Sequence, residues 1–151
     1  MWCHGDWAHE NTDGGFIIFG RSDATLNPSG VRIGTAEIYQ QVEAFPEIAE
    51  CLATALRKDG DEQIVLFVKM KSGHRLGQQL KEAIRGRLKE RCSPRHVPKF
   101  LDQAPDFPRT ISGKLSEIAV RSAINGSKLG NSGSLANPEC LDFFVNWQAS
   151  D

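Results

Sequence analysis

Two apolar segments joined by a short polar turn limit the folds open to this chain. The segments are IAECLATALRK at residues 48–58 and EQIVLFVKM at residues 62–70, with Asp59-Gly60-Asp61 between them. The second segment is rich in valine, isoleucine and phenylalanine, which suit the pleated surface of a sheet. A glycine-containing turn between two such segments favours an antiparallel hairpin. The pattern therefore predicts a domain built around this hairpin.

The flanking segments predict further strands and three helices. Residues 14–33 read as an irregular hairpin, and residues 96–114 follow an extended route set by three prolines. Helical spacing of apolar residues begins at residue 34, at Leu76 and just after Lys114. The predicted inward residues are Ile38, Val42 and Phe45 in the first helix, Leu80, Ala83, Ile84 and Leu88 in the second, and Leu115, Ile118, Ala119, Ser122 and Ala123 in the third. Thr35 is the expected cap of the first helix.

The predicted order of elements is β, β, α, β, β, α, β, α. It describes an α+β fold, in which a hairpin and a small, mostly antiparallel three-stranded sheet are flanked by helices. Beyond the last helix, residues 126–138 are rich in Gly, Ser and Asn and read as a linker. The segment ECLDFFVNW that follows is apolar enough to dock on this domain, on a partner or on a second copy of the chain.

The composition excludes several classes of protein. The 151 residues carry a net charge of -1, which provides no basic surface for nucleic acid. The longest apolar runs, at residues 16–19 and 64–68, are far shorter than the roughly 20 residues that span a bilayer, and no secretory signal is visible at the N-terminus. We therefore expect a soluble cytoplasmic protein without nucleic-acid or membrane partners.

The cysteines and histidines match no metal-binding pattern. Cys3, Cys51, Cys92 and Cys140 are too far apart in sequence for a CxxC motif, so reduced thiols are expected. His4 and His9 lie near Cys3 but fit no zinc spacing, and His74 and His96 read as surface residues. The sequence therefore predicts no metal ligand.

Four short motifs occur in series along the chain. They are WCHGD with Asp6, FGRSD with Arg21 and Asp23, SGVRIGTAEI with Gly30 and Arg32, and PRTISGK with Lys114. In this order and spacing the chain resembles the carboxyl-terminal part of the adenylate-forming ligases, which include the acyl-CoA synthetases. This resemblance implies that the fold is the mobile carboxyl-terminal lid domain of these enzymes.

The resemblance also implies roles for individual residues. Asp6 would accept hydrogen bonds from the ribose hydroxyls of ATP, and Arg21 would contact the same nucleotide. Asp23 matches the hinge about which the lid turns between two catalytic postures. Gly30 would line the passage for the pantetheine thiol of CoA, where a side chain would obstruct it. Arg32 would face a phosphate of CoA, with Lys89 and Arg91 as weaker candidates.

Lys114 is the candidate catalytic residue. Forming an acyl adenylate brings a carboxylate to an anionic phosphate, so a fixed cation stabilises the transition state. A lysine ammonium is suited to this electrostatic role rather than to that of a general base. By the resemblance, Lys114 enters the cleft for adenylation and withdraws for thioester formation.

Within the family, the segments GRSDATLNPSGVRIGTAEIYQQVEAF, SPRHVPKF and NPECLDFF are most similar to acetoacetyl-CoA synthetases. The implied substrates are acetoacetate, CoA and ATP, with Mg²⁺ in the complete enzyme. An enzyme for acetate or another short acid, and a non-catalytic module that binds a nucleotide or CoA, remain alternatives.

The resemblance places domain boundaries as well. Residues 1–22 correspond to the end of a large N-terminal adenylation domain, 23–125 to the lid, and 126–151 to a linker and tail. This chain has no phosphate-binding Gly/Ser/Thr loop followed by a lysine, and no acyl pocket can be assigned in it. We therefore expect it to need the adenylation domain as its partner and to be inactive alone.

Overall fold

A computed structural model of the chain describes residues 26–126 and 135–149, together with the backbone of residues 6–10 and 16–21. The strands over these residues are β1 Asp6–Glu10, β2 Phe16–Arg21, β3 Ile48–Lys58, β4 Asp61–Met70 and β5 Phe100–Gln103. The α-helices are α1 Thr35–Val42, α2 Gln78–Arg91, α3 Glu117–Ile124 and α4 Leu141–Asn146. From α1 to α3 the predicted order of elements is confirmed, and α4 is added at its end.

The central sheet has the strand order β3-β4-β5. The predicted hairpin is present, since β3 and β4 pair antiparallel from Ile48↔Met70 to Lys58↔Asp61. β5 pairs with β4 in parallel, from Val65↔Phe100 to Val68↔Gln103. A parallel partner needs a crossover connection, and α2 supplies it. The sheet is therefore mixed, with a long antiparallel pair and a short parallel one.

Both faces of β4 are buried. Ile64, Leu66 and Val68 belong to a core shared with α1 and α2, whereas Val65 and Phe67 belong to a second core shared with α3 and α4. Successive side chains of a strand point to opposite faces, which explains why this run has no polar residue. Within the described residues no helix is both long and apolar enough to cross a membrane.

The C-terminal segment docks on its own domain. Phe144 is fully buried, and its ring centroid lies 5.0 Å from that of Phe67 in an edge-to-face arrangement. Trp147 packs against Phe67 at 5.1 Å and donates its indole N–H to Asp102 at 3.0 Å. Of the three docking sites left open by the sequence, the structure selects the domain itself.

Side chains cap the outer edge of β3. The Tyr39 hydroxyl accepts a hydrogen bond of 3.1 Å from the Ala53 N–H and donates to Glu117. Asn125 accepts from the Arg57 N–H at 2.8 Å and donates to the Ala55 carbonyl at 2.9 Å. An uncapped edge would be open to pairing with another chain. These contacts join α1 and α3 to the sheet.

Two predictions about the N-terminal elements are wrong. The predicted hairpin over residues 14–33 is not found among the described residues of this range, where β2 pairs with β1 and a bridge joins Leu26 to Ile33. Thr35 is not the cap of α1. Gly34 holds the cap position, while Thr35 is the first helical residue and is buried.

Two further predictions fail in detail, because Ala83 and Ile118 are exposed rather than inward. The buried positions of α2 are Ile84 and Leu88, and those of α3 are Ala119, Val120 and Ala123. Near the end of the predicted linker over residues 126–138, Leu135 is buried and bridges to Thr110.

Candidate functional site

Lys114 lies at the base of a tight, exposed turn. The Gly113 N–H donates to the Thr110 carbonyl at 2.8 Å, and the Thr110 N–H donates to the Lys114 carbonyl at 2.8 Å. Gly113 has a φ of +87°, which a residue with a side chain adopts only with strain. Ile111, at the tip, is 77% exposed. The turn therefore projects outward, and no helix within residues 26–126 and 135–149 covers it.

The ammonium of Lys114 is exposed and forms no ion pair with any residue that the structure describes. Its cationic neighbour Arg109, by contrast, pairs with Glu50 and donates to the Gly113 carbonyl at 3.3 Å. The Glu50 carboxylate raises the pKa of Arg109, so this guanidinium stays charged and bound. Arg109 thus holds the turn against β3 while Lys114 remains available to an external anion.

The C-terminal segment fixes the other side of the turn. Asn137 accepts from the Arg109 N–H at 2.8 Å and donates to the Phe107 carbonyl at 2.9 Å. The Ala136 N–H donates to the Arg109 carbonyl at 2.8 Å, next to the bridge between Leu135 and Thr110. Sequence reasoning missed this role of the tail, because no local pattern relates residues 135–137 to residues 107–110.

Gly30 lies in a turn at the other end of the β3–β4 hairpin. The Ser29 N–H donates to Asp61 at 2.9 Å and the Asn27 N–H to Glu62 at 3.0 Å, which ties the turn to the start of β4. Gly30 has a φ of +80°, yet a Cβ placed there would meet no atom of this chain within 4 Å. The backbone conformation, and not packing within this domain, requires glycine at this position.

The predicted phosphate-binding residues lie on two elements. Arg32 is exposed and follows the Gly30 turn by two residues. Lys89 and Arg91 are exposed in the last turn of α2. The structure therefore joins Gly30 and Arg32 in one segment, with the other two cations on a separate helix.

The predicted ATP and hinge residues are only partly described. Asp6 and Arg21 face each other as register partners across the β1–β2 pair, as their backbone shows. Asp23 lies outside the described residues. The pairing of Asp6 with Arg21 brings together two positions that were assigned separately to the same nucleotide.

The Lys114 turn and the Gly30 turn are attached to opposite ends of one hairpin. The first is held at Glu50, near the start of β3, and the second at Asp61, just after β3 ends at Lys58. Eight residue steps at about 3.4 Å each put these attachment points about 27 Å apart. The two turns cannot meet at one reacting centre without a rearrangement.

A further cluster of polar groups was missed by the sequence. Ligand atoms of Glu37, Cys92 and His96 all lie within 4.8 Å of one another, and His96 Nε2 is 2.7 Å from the Glu37 carboxylate. Burial, followed by the charge of Glu37, raises the pKa of the Cys92 thiol. The three-residue gap between Cys92 and His96 was the available signal, but Glu37 reaches them only through the packing of α1 on α2.

Residues 37–114 match the model of the AMP-binding enzyme C-terminal domain. This segment is about half of the chain and contains both α2 and the Lys114 turn. The chain belongs to this family. The small sheet with flanking helices is the fold of the C-terminal domain in adenylate-forming enzymes, as the resemblance implied.

Several known proteins are similar to this AMP-binding C-terminal domain over nearly its whole length. An acetoacetyl-coenzyme A synthetase of Rhizobium meliloti is 50% identical over 96% of the chain, which covers 22% of that protein. A malonamoyl-CoA synthetase of Penicillium aethiopicum is 43% identical over 97% of the chain and 21% of that protein. The solved acetoacetyl-CoA synthetase of Streptomyces lividans has a TM-score of 0.82 at 37% identity, over 94% of this chain and 22% of that one. The chain thus spans about a fifth of each of these relatives.

Proposed function

We propose that the chain is the carboxyl-terminal part of an ATP-dependent acid–CoA ligase that acts on acetoacetate. The reaction converts acetoacetate, ATP and CoA to acetoacetyl-CoA, AMP and diphosphate through an acyl adenylate. The family of the chain and its 50% identity to a protein named acetoacetyl-coenzyme A synthetase support this proposal. Because the chain covers only 22% of that relative, the activity belongs to a longer protein and the isolated chain is inactive.

Lys114 is the catalytic residue in this proposal, and its exposed ammonium is the observation that carries it. In adenylation, an acid carboxylate attacks the α-phosphorus of ATP and diphosphate leaves, so negative charge accumulates on the phosphoryl oxygens. A cation that is fixed in position before the reaction stabilises this charge without reorganisation. The Arg109–Glu50 pair and the Asn137 contacts hold the turn that delivers the cation.

The second half-reaction needs the other end of the domain. CoA thiol attack on the adenylate would take place beside Gly30, with Arg32, Lys89 and Arg91 toward the CoA phosphates. The separation of about 27 Å between the two turn attachments supports two postures of the lid, because one posture cannot present both turns. Asp23 is the hinge that we assign to this change.

The nucleotide and the domain boundaries complete the proposal. Asp6 binds the ATP ribose and Arg21 lies beside the same nucleotide, in residues 1–22 at the end of the adenylation domain. Residues 23–125 form the lid, and residues 126–151 form the linker and tail. Mg²⁺ arrives with the phosphates of ATP, so the proposal requires no metal ligand for it in this chain. A cytoplasmic location agrees with this chemistry and is likewise proposed.

The test uses a chimera in which this chain replaces the matching C-terminal part of the Rhizobium meliloti relative. Lys114→Ala should slow adenylation, followed by acetoacetate-dependent ATP–diphosphate exchange, by roughly 10² to 10³. Thioester formation from supplied acetoacetyl adenylate should be retained. Lys58→Ala, at another exposed lysine, is the matched control and should leave both half-reactions unchanged. An equal loss in both half-reactions would contradict the assignment.

A ligase for a different small acid is the second candidate. The 43% identity to a malonamoyl-CoA synthetase supports it, because that value is close to the identities of several acetoacetyl-CoA synthetases. The discriminating assay compares acetoacetate, acetate and malonamate as substrates of the full-length protein. Calorimetry of the isolated chain with ATP and CoA would separately test the non-catalytic binding module.

A further inference from the structure

Glu37, Cys92 and His96 bring a carboxylate, a thiol and an imidazole together at the contact between α1 and the segment that follows α2. We propose that these three side chains form a binding site for a divalent cation of the Zn²⁺ class. This site goes beyond the ligase function and does not depend on the role of Lys114.

The donor set and its spacing suit zinc. Carboxylate oxygen, thiolate sulfur and imidazole nitrogen are the usual protein ligands of this ion, with bonds of about 2.0 to 2.3 Å. Donors at these bond lengths around a tetrahedral ion are roughly 3.3 to 3.8 Å apart. The three ligand atoms already lie within 4.8 Å of one another, so side-chain adjustments of about 1 Å would close the site.

The surroundings of His96 favour metal binding through Nε2. Ser93 Oγ lies 2.7 Å from Nδ1 and can accept its proton, which is the tautomer that leaves Nε2 as a ligand. A second hydrogen bond, from the Arg95 N–H to the same hydroxyl at 3.2 Å, fixes the position of Ser93. Such an outer partner is a regular feature of histidines that bind metal, because it orients the ring.

Three protein ligands leave a fourth position for water. The Glu37 side chain is 57% exposed, so this position faces solvent, whereas His96 is only 14% exposed. The cation would tie α1 to a segment whose Pro94 and Arg95 line a surface cleft of about 300 Å³ together with Ser29. We therefore assign the ion a structural effect, which is to fix one wall of the cleft beside the Gly30 turn.

The test titrates the reduced, untagged full chain with Co²⁺, which reports on thiolate ligation through a charge-transfer absorption band. We expect one Co²⁺ per chain, a band that Zn²⁺ removes by competition, and loss of the band in Cys92→Ser. Glu37→Gln and His96→Gln should weaken Co²⁺ binding by at least roughly tenfold, since even outer partners contribute that much. Cys3→Ser, Cys140→Ser and His74→Gln are the matched controls and should retain the band.

A thermal melt separates binding from misfolding. Zn²⁺ should raise the melting temperature of the unmodified chain, because a ligand that binds only the folded state stabilises it. At the same Zn²⁺ concentration the increase should be smaller in Glu37→Gln, whose exposed position makes a folding defect in the absence of metal unexpected. Absence of the band in the unmodified chain, or its persistence in Cys92→Ser, would overturn the proposal and leave the cluster as a hydrogen-bonded contact between Glu37 and His96.

Discussion

The side-chain oxygen of Asn137 accepts a 2.8 Å hydrogen bond from the backbone N–H of Arg109, which lies 28 residues earlier in the chain. The amide group of Asn137 also donates to the Phe107 carbonyl, so a single side chain satisfies two backbone groups at the base of the Lys114 turn. The geometry of the proposed catalytic turn therefore depends on the C-terminal segment as well as on its own residues.

Replacing Asn137 should destabilise the domain. Asn137→Ala leaves the Arg109 N–H and the Phe107 carbonyl without their hydrogen-bond partner in a partly buried position. The expected cost is about 1–3 kcal/mol in the free energy of unfolding. Urea denaturation followed by circular dichroism measures this loss. Asn146→Ala, at an exposed asparagine of α4, is the control and should change stability by less than about 0.5 kcal/mol. Equal effects of the two changes would contradict a role for Asn137 at the turn.

Two glycine substitutions should have opposite signs. Gly113→Ala puts a side chain on a residue with a φ of +87° and should cost about 1–2 kcal/mol. Gly86→Ala lies inside α2, where a Cβ meets no atom within 4 Å, and should stabilise the domain by about 0.5–1 kcal/mol. Thermal melts of the two variants provide the comparison. A destabilised Gly86→Ala protein would mean that α2 has a neighbour in solution that the structure does not show.

The docked tail contributes to stability through Phe144. Its ring is fully buried between Phe67 and Phe107, so Phe144→Ala should cost about 3–5 kcal/mol. Val145 is the next residue and is 61% exposed, and Val145→Ala should stay within about 0.5 kcal/mol of the unmodified chain. Denaturant titrations decide between this result and a tail that docks only transiently, for which both changes would be nearly neutral.

Asp106 should make stability depend on pH. The hydrogen bond from the Phe107 N–H lowers the pKa of Asp106 most, and Lys69 at 3.2 Å lowers it further. A carboxyl whose pKa is lower in the folded state stabilises the fold above its unfolded pKa, near 4, and this contribution is lost as the pH falls through the folded pKa. Stability should therefore decrease on acidification below about pH 4.

Carbon-detected NMR titration of Asp106 checks the cause of this shift. The Asp106 pKa should lie below the ordinary aspartate value and should rise in Lys69→Met. It should still stay low in that variant, because the Phe107 bond is the larger cause. Asp106→Asn should reduce the loss of stability on acidification more than Lys69→Met does. The reverse order would assign the effect mainly to the lysine.

Local patterns were sufficient for most of the fold. The β3–β4 hairpin, its turn and α2 follow from residues that are neighbours in sequence, and each was predicted at or near its observed bounds. The parallel pairing of β5 with β4 was not predictable in this way, because the register between Val65 and Phe100 is set by packing of the intervening helix. The docking of Phe144 depended in the same way on an aromatic surface that only the folded sheet assembles.

The candidate site, like the fold, was predictable only where it depends on residues that are neighbours in sequence. Lys114 was predicted from the PRTISGK motif; it lies on an exposed turn, and its catalytic role stays a prediction. The support from Glu50 and Asn137 could not be predicted, since these residues are 59 and 28 positions from Arg109. The cluster of Glu37 with Cys92 and His96 likewise joins elements that only tertiary structure brings together.

The five consecutive buried residues of β4 leave neither side of the sheet free for a neighbouring body. Any large domain that works with this one must touch it through loops and the outer surfaces of the helices rather than through the faces of the sheet. Such a contact can form, break and form again at a different angle without exposing either hydrophobic core to water. Repeated reorientation of the two domains would therefore require no partial unfolding and little strain in this one.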